Sequence, residues 1–460
     1  MICHLVSRVE FLTRIKMEHE DYVSMLLYKK SEGMCMKQDN IIATQGLTNL
    51  FVGQPDIDST DKKIEFIKTK LREFFNLKNV NFLFGAGTSN GAIDTMSKLY
   101  KHLEFSKDEK NEEKEFKSIV AKEGENLENI LKVMYSARNY YNGIQEEDAK
   151  DEAVINSFKE LYDRLITKVE KHIFNSINVD FATKECQKVL GYYTTFYQKL
   201  AMRNKDLSRI RVFTTNNDLF NETALDSLNI HYINGFSGGL RRFFNPALFN
   251  YTWSKRMDTS IDKYEPIENL VYLYKIHGSI NWRESTPLPG NYFEIEEFPS
   301  SDLTSDKACL IYPTPTKQDK SLGAPYVDLF REFQNKLLEP HSVLFIIGYG
   351  FNDRHVNDII YRALATNSTI NVVIFSSKPK DKEKEKKPIF FIDDNRIFTF
   401  SGKVWDVDDD EKEVADTRRT INHFDYIVNE LLPNLDAFKK EDNLVQGFVN
   451  QLNKLTKDRK

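Results

Sequence analysis

The sequence predicts an α/β protein: a parallel sheet with helices on both faces, carrying a helical insertion and flanked by helical N- and C-terminal extensions. Three observations predict it. Short continuous apolar runs recur along the chain, as in strands buried on both faces. Amphipathic stretches with apolar residues at three-to-four-residue spacing separate several of them, which places covering helices between the strands. Between residues 105 and 208 the composition turns charge-dense and glycine-poor, without strand-like runs.

The elements follow in chain order. Residues 61–76 (DKKIEFIKTKLREFFN) place Ile64, Ile67, Leu71 and Phe74 or Phe75 on one helical face. Residues 79–84 (NVNFLF) are a short β-branched and aromatic run that enters Gly85-Ala86-Gly87, after which Thr88 or Ser89 is expected to cap a helix reaching about Leu103. The insertion includes the charged run KDEKNEEKE at 107–115 and an amphipathic helix over 152–174. Strand-like runs return at 210–214, 270–276, 309–312, 343–347 and 370–375. The lysine-rich run 378–387 reads as a solvated loop, and 416–431 and 436–455 as two closing amphipathic helices. The predicted organisation is a helical extension over 1–75, a ligand-binding domain over 76–104 and 209–405, the helical insertion 105–208 and C-terminal helices over 406–460.

Composition bounds the function. A chain of 460 residues exceeds one ordinary domain of roughly 100–200 residues, and 40% hydrophobic with 12% aromatic content suffices for folded cores. The 64 basic and 69 acidic residues, net −5, create no global field for nucleic acid, which is not indicated as a partner. Four dispersed cysteines (Cys3, Cys35, Cys186, Cys309) form no C-x-x-C pair and are expected as reduced thiols, with no zinc or other metal site. No basic segment with a long apolar run opens the chain and no run of about 18 apolar residues follows, so a soluble, cytoplasmic protein without a membrane partner is expected.

Four short segments carry candidate chemistry, each at a strand end. Gly85-Ala86-Gly87-Thr88-Ser89 offers close backbone approach and a helix N-terminus to a phosphate, or serves simply as a tight turn. Asn90 stands where a dehydrogenase fingerprint needs its third glycine, and helical sequence replaces the strand that would carry the ribose-binding acid, so a dehydrogenase is disfavoured. Thr214-Thr215-Asn216-Asn217-Asp218 places short polar side chains where open α/β sheets form ligand crevices, and equally suits a turn and helix cap. His277 in Ile276-His277-Gly278-Ser279 is a candidate general base, since free histidine titrates near pH ~6.5. Gly348-Tyr349-Gly350-Phe351-Asn352-Asp353 is a second glycine turn before a capped helix.

In their order GAG-T-S, T-x-N-x-D, I-H-G and G-Y-G-F-N-D, these segments resemble the sirtuin family, in particular the divergent prokaryotic sirtuin-like domains of anti-phage systems. The resemblance covers about residues 79–376 without the insertion. It implies a Rossmann-like fold that binds NAD, with Gly85, Ala86 and Gly87 at the pyrophosphate and Ser89 on a phosphate. It places Asn216 at the nicotinamide ribose beside Thr214, Asp218 as the motif aspartate and His277 as the catalytic histidine. Gly348 and Tyr349 fall at the adenosine ribose, and Ser376 near the adenine-side strand end. The chain departs from protein-deacylating sirtuins in lacking their four-cysteine zinc ribbon, which weakens a peptide-lysine substrate, and the role of Asp94 in the shortened segment after Ser89 stays open.

Nicotinamide in NAD is a cationic leaving group, so its ribosyl bond breaks through an oxocarbenium-like transition state needing little acid assistance. The resemblance thus implies an NAD-consuming hydrolase that releases nicotinamide and ADP-ribose, an effector of anti-phage defence by NAD depletion. It further implies a homo-oligomer, with a partner such as a HerA-type ATPase or a phage-derived trigger. A protein deacylase or ADP-ribosyltransferase, a non-catalytic NAD or ADP-ribose sensor and an assembly scaffold are the rival readings.

Overall fold

The fold is that of a computed structural model, which describes residues 40–54, 56–144, 152–200, 206–257, 263–285, 295–299, 303, 308–310, 325–377, 379, 384–385, 387–404 and 419–433. The chain divides into two units. Residues 41–402 with 420–460 form the unit described below; of the other, residues 1–40 and 403–419, only four residues are described. No described helix is long and apolar enough to cross a membrane.

The ten strands that matter for the site are β1 (Ile42–Gln45), β2 (Thr48–Asn49), β3 (Asn79–Phe84), β4 (Ile210–Thr214), β5 (His231–Ile233), β6 (Leu270–Lys275), β7 (Gly278–Glu284), β8 (Ser342–Ile347), β9 (Asn371–Phe375) and β10 (Ile397–Ser401). All but β7 form one sheet in the order β2-β1-β10-β9-β8-β3-β4-β6-β5. It is parallel from β10 to β5, and β1 and β2 add antiparallel at one edge. β3 and β8 are buried at every position, which explains why they are mostly apolar; their polar residues, Asn79, Asn81 and Ser342, are buried too and hydrogen-bond to backbone carbonyls. Phe82, Phe84 and Phe345 face α1 (Thr60–Phe75) and α5 (Lys184–Leu200), in edge and stacked contact with Phe75 and Phe196. Leu83, Leu344 and Ile346 face the opposite way, in a core with Leu329 and Phe333 of α7 (Tyr326–Leu338) and Val356 and Ile360 of α8 (Arg354–Thr366). The result is the doubly wound α/β architecture expected from the sequence.

The insertion supplies α2 (Lys110–Glu123), α3 (Leu127–Gly143) and α4 (Glu152–Ile177), which share their own core of Ile130, Met134, Leu165, Val169 and Ile173. α5 belongs to the sheet instead, through Tyr193 and Phe196 against Phe84. β7 turns out of the parallel sheet at Gly278 (φ 83°), which favours a residue without Cβ, and enters a separate five-stranded sheet.

Three expectations are corrected. Residues before 76 are not purely helical, because Ile42–Gln45 pairs with the exposed edge of β10. The segment after the first glycine turn is not one long helix: a single 3-10 turn, Ala86–Ser89, is followed by Gly91 in a left-handed conformation (φ 100°) and a one-turn helix, Met96–Leu99. Within 416–431 the chain forms a short strand, one turn over Phe424–Tyr426 and a π-turn over Ile427–Leu431, whose apolar side chains are buried. The expected helix 436–455, most of the lysine-rich run, and Cys3 and Cys35 lie outside the described residues.

Candidate active site

The four glycine- and asparagine-rich segments follow β8, β3, β4 and β6, neighbours in the sheet, so topology alone gathers them at its carboxyl edge. They wall a cavity of about 600 Å³ with Ala86, Gly87, Ser89, Asn216, Asp218, His277 and Asp353 on its lining, and the insertion closes it with Asn126, Glu128, Ile173 and Ile177.

The first and last loops interlock. A Cβ on Gly85 would lie 2.5 Å from the Tyr349 Cα, and one on Gly348 2.6 Å from the Thr88 nitrogen. The Gly87 N–H donates to the Gly348 carbonyl (2.9 Å), the Gly85 N–H to the Ile347 carbonyl (3.0 Å) and the Thr88 N–H to the Gly85 carbonyl (3.0 Å). These donors, expected to face a phosphate, are therefore committed within the protein, and the long helix expected to present its N-terminus is absent. Ala86, Gly87 and Ser89 still line the cavity, whereas Gly85 does not.

Beneath the cavity lies a buried polar network. Asn216 Nδ2 donates to Thr88 Oγ1 and Ser89 Oγ (both 3.1 Å), and Ser89 Oγ donates to Asp218 Oδ2 (2.7 Å). The Tyr193 hydroxyl, brought by α5, lies 2.7 Å from Thr88 Oγ1 and 3.0 Å from Ser89 Oγ. Thr214 is fully buried and lines no cavity described here; its Oγ1 accepts the Asn216 N–H (3.0 Å), so it orients the loop. Asp218 Oδ1 accepts the Phe220 N–H at the start of α6 (Phe220–Ser227), as a capping residue would. Burial pushes the Asp218 carboxyl above its ordinary range, with the Lys275 charge opposing the shift.

Lys275, the last residue of β6, is 1% exposed. Its Nζ pairs with Glu222 Oε1 (2.9 Å) and donates to Ser279 Oγ (2.7 Å) and to the Asp218 carbonyl, tying the β4 and β6 loops together. Asn217 adds to this by donating from Nδ2 to the His277 and Gly278 carbonyls (2.8 and 3.2 Å). His277 lines the cavity with Nε2 3.0 Å from Asp353 Oδ2.

A second cavity, about 870 Å³, shares Gly87, Gly348, Tyr349 and Gly350 with the first and is lined by Ser376, Lys98, Lys184 and Lys188. Asn216, Asp218, His277, Ala86, Gly87, Ser89, Gly348 and Tyr349 thus meet at the first cavity, and Ser376 lies at the second. Sequence reasoning missed Tyr193 and Lys275, named Asn217 only as part of its motif, and took Asp353 only as a helix cap. The one available signal was a lysine ending an otherwise apolar strand.

The architecture defines a doubly wound α/β protein with a ligand crevice at its strand ends. Residues 210–397 match the family model described as a SIR2-like domain, which takes in the loops after β4, β6 and β8 and is consistent with a sirtuin-like, Rossmann-like unit. SIR2-like domains use NAD, and the match suggests an NAD-utilising enzyme. No match was found among curated proteins.

Proposed function

We propose that the protein is an NAD glycohydrolase that cleaves the nicotinamide–ribosyl bond and passes the ribosyl centre to water. The observation that carries this reading is the meeting of Asn216, Asp218 and His277 on one cavity at the carboxyl ends of β4 and β6. Asn216, its amide nitrogen engaged by the Thr88 and Ser89 hydroxyls, is held to orient a ribose hydroxyl or the attacking water. His277 takes the proton, and Asp218 holds the Asn216 loop. Ala86, Gly87 and Ser89 lie against the phosphates by close approach, not through the Gly87 N–H or the Ser89 hydroxyl hydrogen, which Gly348 and Asp218 hold, with Gly85 and Thr214 keeping that turn and the Asn216 loop in place. Gly348 and Tyr349, which line both cavities, let the dinucleotide extend toward Ser376.

In this reading residues 76–104 and 209–405, together with β1, β2, α1 and α5, which complete their sheet and its cover, form the catalytic domain, and α3 and α4 line the cavity where a deacylase keeps its zinc-bearing subdomain. We further propose an assembled effector of anti-phage defence, with a basal turnover that a partner or phage-derived trigger raises. The test is incubation with NAD alone, read by chromatography. Nicotinamide and ADP-ribose are expected in equal amounts; nicotinamide released only when an acylated or acceptor protein is added would replace the hydrolase with a transferase.

A further inference from the structure

We propose that Asp353 is a positioning residue for His277, the two forming a histidine–carboxylate pair that fixes which ring nitrogen takes the proton. The inference rests on the reading of His277 as the base. His277 Nε2 lies 3.0 Å from Asp353 Oδ2, with the two side chains 13% and 9% exposed. The residues come from different loops, after β6 and after β8, so the pair bridges two strands that are not neighbours along the cavity lining.

Asp353 is itself held in place. Its Oδ1 accepts the His355 and Val356 N–H groups (2.8 and 3.3 Å) as the N-cap of α8, a thirteen-residue helix whose N-terminus favours negative charge. Its carbonyl lies 3.2 Å from the Tyr349 hydroxyl, whose one hydrogen is shared between that carbonyl and Asn357 Oδ1 (3.1 Å). One carboxylate oxygen is therefore spent on the helix, and the other lies 3.0 Å from the imidazole Nε2 as an ion-pair contact, off the line of a hydrogen bond until the ring or the carboxylate turns slightly.

An ionised carboxylate only accepts hydrogen bonds, so the nitrogen facing it carries the hydrogen. His277 in its neutral form is then the Nε2–H tautomer, and Nδ1 is the basic nitrogen. When Nδ1 takes a proton from the ribose or the water, the imidazolium stays paired with Asp353, which stabilises the charge as it forms. The pairing also explains the GYGFND segment, whose aspartate does two tasks in one position: it caps α8 and orients the histidine.

The test uses the full chain with ¹⁵N-labelled histidine, the His277 signals being assigned by comparison with His277→Ala. Neutral His277 is expected as the Nε2–H tautomer, and Asp353→Asn is expected to lose that preference. Asparagine also caps helices, so the melting temperature should hold. With NAD, Asp353→Asn should lower kcat by about 10–100-fold while KM changes little, the pattern of a lost orienting contact. Asp353→Ser, a second capping residue without the charge, should behave alike. An Nδ1–H tautomer in the parent, or parental kcat in both variants, overturns the pairing. A parent that releases no nicotinamide overturns the hydrolase reading instead, and the tautomer still decides the pair.

Discussion

Asp218 and Glu222 are buried beside Lys275, and burial pushes both carboxyl groups upward. A carboxyl whose folded pKa exceeds its unfolded value holds more protons in the native state, so stability rises as pH falls through the folded value toward about 4, and the benefit is absent above it. Asp218→Asn removes one such group. Its melting temperature should therefore gain less than the parent's on acidification from neutral to about pH 5; equal gains by calorimetry would contradict the assignment. At this scale the sequence was informative for short polar residues at strand ends, because Asn216, Asp218 and His277 follow apolar runs directly. It was silent on Tyr193, a tyrosine on an amphipathic helix, and gave only a faint signal for Lys275, because a lysine ending an apolar strand looks like a surface residue until the tertiary contacts exist.

The two glycine turns show how far a local pattern reaches. Each was legible as a strand-to-helix turn, but the reason for the glycines is their mutual approach, which no single segment reveals. Backbone atoms of Gly348 and Tyr349 stand 2.5–2.9 Å from a Cβ at Gly85, and backbone cannot rotate aside. Gly85→Ala should therefore destabilise the protein by about 1–3 kcal/mol in urea unfolding, and an unchanged midpoint would contradict the interlock. The long helix expected after Ser89 failed for a local reason, Gly91 at φ 100°. The α5 assignment failed for a tertiary one: its amphipathic pattern matches that of α4, yet its apolar face meets the sheet rather than the insertion core. Periodicity reports that a face is buried and not against what.

Across the whole molecule, the α/β class was legible from continuous apolar strands, whereas the strand order was not. β8 lies next to β3 although they are far apart in sequence, and that adjacency brings the last loop onto the first. The short strand β1, one place in from the sheet's edge, was hidden because four residues without a marked alternation carry little pattern. The central claim is that one cavity, built by four loops from neighbouring strands, binds NAD and breaks its nicotinamide–ribosyl bond. It is tested most directly by following nicotinamide release from NAD by the parent, His277→Ala and Asn216→Ala, with calorimetric NAD binding and melting temperature recorded for each. The account predicts release by the parent and its loss in both variants, with NAD still bound and the melting temperature of His277→Ala nearly unchanged. A His277→Ala or Asn216→Ala protein that releases nicotinamide at the parental rate would contradict it.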